Sequence, residues 1–233
     1  MTFSRGPRNR PHRARRGSGE QLRTEILAAT RALLNEKGSV DAVSIRAVAS
    51  RVGVTPPSIY LHFADKDALI QAVCSEIFER LDEWMREATE GVENPLEIVR
   101  RQGMTYVKFA LANPEEYRVA TMVPRTDVTD MDDTLGSSAF SHVYASVESC
   151  VKLGYFGDRE PLALTLQLWA AVHGIASLMI AKPFLVFGDA EKFIDQGLRA
   201  CMLGHAADTA LGEPSADEIG AWIKQLPHTE LTR

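Results

Sequence analysis

Residues 44–69 read SIRAVASRVGVTPPSIYLHFADKDAL, a pattern of two short helices around a tight turn with a third helix starting at once. Ser44 is placed to cap the first helix with its hydroxyl. Ile45, Val48, Ala49 and Val52 follow at i, i+3, i+4 and i+7 and form one apolar stripe. Gly53 supplies the backbone freedom that the helix end and turn require, and Val54 pins the turn to a core. Thr55 is a good N-cap for the second helix. Pro56 and Pro57 take its first positions, where an N–H would lack a helical partner anyway. That helix continues through Ser58, Ile59 and Tyr60, and Asp65 can cap the next one, which begins at Lys66. Helices this short bury little alone; their geometry suits holding one helix outward at the angle of a DNA major groove. Double-stranded DNA is the first partner the pattern implies.

The segment resembles the DNA-binding part of the tetracycline-repressor (TetR) family of transcriptional regulators. The resemblance is carried by Ile45, Ala49, Val52-Gly53-Val54, Ser58-Ile59-Tyr60, His62-Phe63, Lys66 and Leu69, and extends from Gln21 to about Leu69. A short helix-turn-helix pattern alone is common; the Tyr-x-His-Phe-x-x-Lys-x-x-Leu run behind it makes this one specific. The resemblance implies that Arg46, Thr55, Pro56, Ser58, Tyr60, His62 and Lys66 touch DNA, with Thr55, Tyr60, His62 and Lys66 mainly positioning the backbone. Lys66 at a helix N-terminus opposes the macrodipole, a liability that a bound phosphate would remove. Pro56 and Pro57 leave few polar side chains on the second helix, so docking is better supported than detailed base readout. Tyr60 has a competing reading as a packing residue, and Phe63 is read as core.

The net charge of −5 argues against nucleic acid until its distribution is considered. The first 67 residues hold 12 Lys and Arg against 6 Asp and Glu, and the rest hold 14 against 25: a basic head of +6 on an acidic body of −11. Such a molecule docks on DNA by one end. Residues 1–18 are rich in Arg, Gly and Pro and read as a basic, disordered arm. Arg13, Arg15 and Arg16 either follow phosphates beside the recognition helix or belong to a merely soluble terminus.

No strand pattern of useful length occurs, so the fold class is all-α. The expected divisions are the arm at 1–18, a helix-turn-helix domain at 19–67, a helical ligand-binding and dimerisation domain at 68–210, and a weakly ordered tail at 211–233. Helices are expected over Glu20–Lys37, from Lys66 to about Thr89, and from Pro95 to about Ala112 behind an Asn94 cap. Others are expected from Glu115 to about Met122, Leu135–Leu153, Pro161–Ala181, Asp189 to about His205, and Ala216 to about Gln225. Pro124–Asp133 reads as a polar, turn-rich loop. By the resemblance, the helix from Lys66 links head and body.

Pro161–Ala181 carries no Lys, Arg, Asp or Glu. Its length fits a membrane span. Thr165, Gln167, His173, Gly174 and Ser177 interrupt it, however, and no basic cluster flanks it, so a covered helix is the preferred reading and no membrane partner is expected. The resemblance implies a homodimer through about 159–181 and 189–205, where Ala170, Ala171, Gly174 and Ala176 permit close approach. The run from Trp169 to Gly174 is also similar to a Trp…His-Gly signature of one TetR subgroup.

Met104, Phe109, Met122, Tyr144, Trp169, His173 and Met179 come from several helices and are the candidate ligand-binding residues. Each also reads as ordinary core, and His173 as a core histidine satisfied by one hydrogen bond. Cys74, Cys150 and Cys201 lack metal-ligand spacing and are read as buried or free thiols of a cytoplasmic protein. No catalytic triad, metal cluster, phosphate-binding Gly loop or cooperating carboxylate pair stands out, so no cofactor, metal site or enzymatic activity is expected. The leading reading is a repressor released from a near-palindromic operator by a small apolar or aromatic effector. The alternatives are an architectural DNA binder without an effector and, more remotely, an all-α enzyme.

Overall fold

In the structure, a computed structural model, residues 18–122, 136–212 and 214–226 are described; the arm arginines, the Pro124–Asp133 loop and the end of the tail lie outside them. Among the described residues there are ten helices and no strand. They are α1 (Ser18–Lys37), α2 (Ile45–Val52), α3 (Pro56–Tyr60), α4 (Lys66–Thr89), α5 (Pro95–Ala112), α6 (Pro114–Thr121), α7 (Ser138–Lys152), α8 (Pro161–Ala181), α9 (Ala190–Leu211) and α10 (Ala216–Gln225). The chain divides into two compact units, residues 1–76 and 77–233, and α4 begins in the first and ends in the second.

In the first unit α2 packs against α1 and α3. Ile26, Leu27 and Leu34 of α1 meet a core completed by Val43, Val48, Ile59 and Leu69, all 2% exposed or less. The buried Thr30 hydroxyl donates to the Ile26 carbonyl at 2.8 Å, so this core carries no orphan there. Arg51 pairs with Glu36 at 2.7 Å and ties α2 to α1.

In the second unit α5 packs against α6, α7, α8 and α9, and α8 also packs against α7 and α9. Asn94 caps α5 by accepting from the Leu96 N–H at 3.0 Å. Glu160 caps α8 through both carboxylate oxygens, at 3.0 Å to Leu162 N and 2.6 Å to Ala163 N. A satellite core joins Val99, Val147, Cys150, Phe156, Leu164 and Leu168. The three cysteines are free thiols; burial pushes Cys150 up to about 11 and Cys201 upward, so neither is a ready nucleophile.

Two expectations shift. The α9 helix runs to Leu211, six residues past His205, because Gly204 stays helical and the left-handed turn falls at Gly212, with φ 69°. On α4 the sequence spacing of Leu69, Val73, Ile77, Leu81, Trp84 and Ala88 predicts one apolar side, but the buried stripe passes through Met85, 3% exposed, and not through Trp84, 38% exposed. The i+4 step from Leu81 to Met85 outweighs the size of the indole in setting which face turns inward.

The α8 helix is not covered within one chain. About a third of its most apolar stretch is buried. Leu162, Leu166, Ala170, Gly174 and Leu178, at successive i+4 steps, are all exposed. By length and composition it is the one helix among the described residues that could cross a membrane. Its faces differ: Leu164, Leu168, Val172, Ala176 and Met179 are buried on the other side.

Candidate functional site

The helix-turn-helix is built by its caps. The Ser44 side chain accepts from Ala47 N at 3.2 Å and opens α2. Gly53, at φ 80°, closes it: its own N–H and that of Val54 both reach the Ala49 carbonyl at 2.9 Å. A side chain at Gly53 would meet open space, so what the position needs is the left-handed backbone. Thr55 stands at the N-cap of α3 but makes no side-chain cap bond. With prolines at the first two positions there is little to cap, and its hydroxyl pairs with the Ser58 hydroxyl at 3.0 Å instead. Asp65 accepts from Ala68 N at 2.8 Å and opens α4.

Arg46, Thr55 and Tyr60 are exposed, Tyr60 at 53%; Pro56, Ser58, His62 and Lys66 are half-buried. The large exposure of Tyr60 takes it out of the core. Phe63 is buried, 5% exposed, with the Arg23 guanidinium 5.2 Å from its ring centroid. Lys66 stands between Asp65 and Asp67, and the Asp65 carboxylate already occupies part of the helix N-terminus.

The second unit contains a cavity lined from α4 by Phe78, Leu81 and Met85, from α5 by Val99, Gln102, Gly103 and Tyr106, and from α8 by Thr165, Leu168, Trp169 and Val172. Ser137, Ala139, Phe140 and Val143, at the start of α7, and Leu198 of α9 complete it. Among the described residues, no lining residue is charged. The enclosed volume of the cavity is about 60 Å³, room for a few waters at roughly 10–15 Å³ each. It is part open to solvent, so a ring-sized guest uses the open side or displaces lining side chains.

Beside the cavity runs a polar network. Trp169 Nε1–H donates to Tyr106 Oη at 3.0 Å. His173 Nδ1 stands 2.8 Å from Tyr117 Oη and 3.3 Å from Tyr106 Oη, and Tyr117 Oη also meets Ser177 Oγ at 3.2 Å. Burial raises the Tyr106 hydroxyl well above the ordinary phenol value and lowers His173. Both are neutral at neutral pH.

Of the seven ligand-binding expectations, Trp169 lines this cavity and His173 stands behind it through Tyr106. Met104, Phe109, Met122, Tyr144 and Met179 are not part of the lining. On α5 the cavity face is 99, 102, 103 and 106, which turns Met104 to another side of the helix. Phe109, a turn further on, packs edge-on against Trp84 at 5.3 Å. Met122 is 39% exposed. The residues that sequence reading passed over are Gln102, Tyr106, Phe78 and Phe140. For Gln102 and Tyr106 the signal lies in the i, i+3, i+4, i+7 spacing of 99, 102, 103 and 106, in which a Gln and a Gly interrupt an apolar face.

Residues 26–73 match the family described as bacterial regulatory proteins, tetR family, and residues 99–201 match the tetracyclin repressor-like C-terminal domain. A protein of unknown function from Rhodococcus sp. RHA1 is 26% identical and superposes with a TM-score of 0.66 over 84% of this chain and 98% of its own. A TetR family transcription regulator from Marinobacter aquaeolei VT8, 17% identical, superposes at 0.62 over 81% and 97%. RolR, solved in complex with resorcinol, is 16% identical and superposes at 0.61 over 86% and 99%. The latter two likenesses speak for the fold. The chain belongs to the TetR family of ligand-responsive, DNA-binding transcription regulators. Members bind operator DNA and small-molecule effectors and act as dimers.

Proposed function

We propose that this regulator is a cytoplasmic repressor that leaves a near-palindromic operator when a small apolar or aromatic effector enters the second unit. The observation that carries the effector reading is the cavity, walled by apolar and aromatic side chains from five helices without a charged one among the described residues. An ion could not be desolvated there without a partner, whereas an apolar ring could. The resorcinol held by RolR supports an aromatic effector by analogy of fold.

Operator contact is assigned to Arg46, Thr55, Pro56, Ser58, Tyr60, His62 and Lys66, with Arg13, Arg15 and Arg16 following phosphates. The head is taken as 19–67 and the body as 68–210. Dimerisation is assigned to 159–181 and 189–205, which the exposed α8 stripe supports: Leu162, Leu166 and Leu178 need cover, and Ala170 and Gly174 between them allow two helices to approach closely. An effector that binds one dimer arrangement better than the other shifts the spacing of the two recognition helices.

The test is selection of bound duplexes from a random library, followed by anisotropy titration of the enriched site. Enrichment of a near-palindrome, and its release by a molecule co-purifying with the protein in native mass spectrometry, are expected. Equal binding of all duplexes, unaffected by any co-purified molecule, would favour the architectural reading instead.

A further inference from the structure

The cavity wall is almost wholly apolar. Gln102 and Tyr106 stand four residues apart on α5, one turn along the same face, and both line the cavity. Gln102 is 4% exposed, and its Oε1 has no hydrogen-bond partner among the described residues. A buried acceptor left unmatched is costly, so Oε1 is a group that the fold itself does not satisfy. Tyr106 Oη accepts from Trp169 Nε1–H, and the acceptor in reach of its own proton is His173 Nδ1 at 3.3 Å. Tyr117 Oη stands closer to that nitrogen, at 2.8 Å. One imidazole nitrogen makes one such bond. Tyr117 Oη also reaches the His173 carbonyl at 3.3 Å and Ser177 Oγ at 3.2 Å, so this network has partners for both phenols, and the unmatched lining group is Gln102 Oε1. The other polar lining groups are engaged: Thr165 Oγ1 donates to the Pro161 carbonyl at 2.7 Å, and Ser137 Oγ accepts from Phe140 N at 3.2 Å.

We propose that Gln102 selects an effector with one neutral hydroxyl on an apolar body, the hydroxyl donating to Gln102 Oε1. This rests on the reading of the cavity as the effector site. A ketone or ether accepts only and leaves Oε1 unmatched. An ammonium or carboxylate finds no counter-charge among the described lining residues. Were the Gln102 amide rotated to present Nε2, a hydroxyl would satisfy it as well, since it both donates and accepts.

The experiment is calorimetric titration of the full chain with p-cresol, p-xylene and 4-methylanisole, for the wild type, Gln102→Met and Tyr106→Phe. The wild type should bind p-cresol at least about fivefold tighter than the other two, the lower end of what an unmatched buried polar group costs. Gln102→Met should abolish the preference, and Tyr106→Phe, which leaves Gln102 Oε1 in place, should keep it. Without ligand, Gln102→Met should also raise the melting temperature by about 2–4 °C, since an unsatisfied acceptor is replaced by an apolar chain of similar shape. Equal binding of p-cresol and p-xylene by the wild type, or a preference that survives in Gln102→Met, overturns the hydroxyl assignment and leaves the cavity as effector site. A lowered melting temperature in Gln102→Met makes the residue a structural one and overturns its role as selector. Failure of all three probes to bind a folded wild type overturns the cavity reading together with this inference.

Discussion

Gly103 of α5 lies so close to Leu198 of α9 that a Cβ on the glycine would stand 2.7 Å from the leucine's Cδ2 and 3.2 Å from Val172 Cγ1. The glycine is what lets α5 approach α8 and α9 at once, and all three residues line the cavity. In Gly103→Ala the leucine must give way, and the free space beside it lies in the cavity. Helix propensity gains about 1 kcal/mol from the substitution, and overpacking costs about 1–3 kcal/mol. Stability should therefore change little or fall by up to about 2 kcal/mol, while a ring-sized ligand binds at least about tenfold more weakly. Denaturant unfolding and ligand titration check the two effects separately; undiminished ligand affinity would show that Leu198 does not bound the site.

At Gly174 the neighbourhood is the opposite. A Cβ there meets nothing within 4 Å inside the chain, and the residue sits mid-stripe on the exposed face of α8. Gly174→Trp should leave the monomer folded, with stability within about 0.5–1 kcal/mol, because helix propensity improves and no internal contact is lost. It should break the proposed helix-to-helix contact and turn a dimer into a monomer in light scattering at micromolar protein. A dimer that persists would move the interface off this stripe.

Much of this architecture is legible in the chain because helix ends carry local chemistry. Ser44, Gly53, Asn94 and the prolines that open α5 and α8 act within one turn of themselves, so the one-dimensional pattern determines them. The direction in which a side chain points is different. Trp84 and Met85 on α4, or Met104 and Gln102 on α5, are one or two positions apart, and which of them faces inward depends on how each helix is rotated against its neighbours. Aromatic and sulfur residues drew attention as ligand groups by type. The unmatched polar group in the cavity wall is a glutamine, whose meaning appears only when its oxygen is buried without a partner among the described residues. The end of α9 was misplaced for a related reason: Gly204 and Gly212 look alike in sequence, and only the second adopts a positive φ.

Asp82 on α4 is 5% exposed, and its carboxylate meets His142 Nδ1 of α7 at 2.5 Å. The histidine is half-exposed, so solvent screens part of the pair, but its removal leaves a buried carboxylate without that bond. His142→Ala should destabilise by about 1–3 kcal/mol. The double variant His142→Ala/Asp82→Asn should recover part of the loss, because a neutral amide is cheaper to bury unpaired than a carboxylate. Urea unfolding of the two variants and the wild type decides it; a His142→Ala within error of wild type would make the contact incidental.

In the head, Tyr60 and Lys66 separate affinity from stability. Tyr60 is 53% exposed, so Tyr60→Ala should change stability by less than about 0.5 kcal/mol. If it contacts the operator, affinity falls about tenfold or more. Lys66→Ala should weaken binding to all duplexes alike and reduce the salt slope by about one, as expected for a phosphate contact. An unchanged slope would remove the phosphate assignment, and Asp65 and Asp67 on either side would be the physical reason.

Acid should destabilise the second unit before its carboxylates protonate. Burial lowers His173, and burial together with the Arg159 charge lowers His205, below the ordinary histidine value of 6.5. Below that value the unfolded chain takes up protons that the native state refuses, so it binds more protons and stability falls with pH. The contribution is complete above about pH 6.5 and is lost as pH drops through the folded values. Glu97 behaves otherwise: Arg100 and Arg101 hold its carboxyl down at about 2, against an ordinary 4.5, so its share is lost only as pH falls from about 4.5 towards 2. Melting temperature measured from pH 8 to pH 5 should therefore decline below about 6.5 in the wild type. The slope over that window should flatten in His173→Asn/His205→Gln, which keeps a polar group at each site but no titrating one. A double variant with the full wild-type slope would assign the acid sensitivity to other groups.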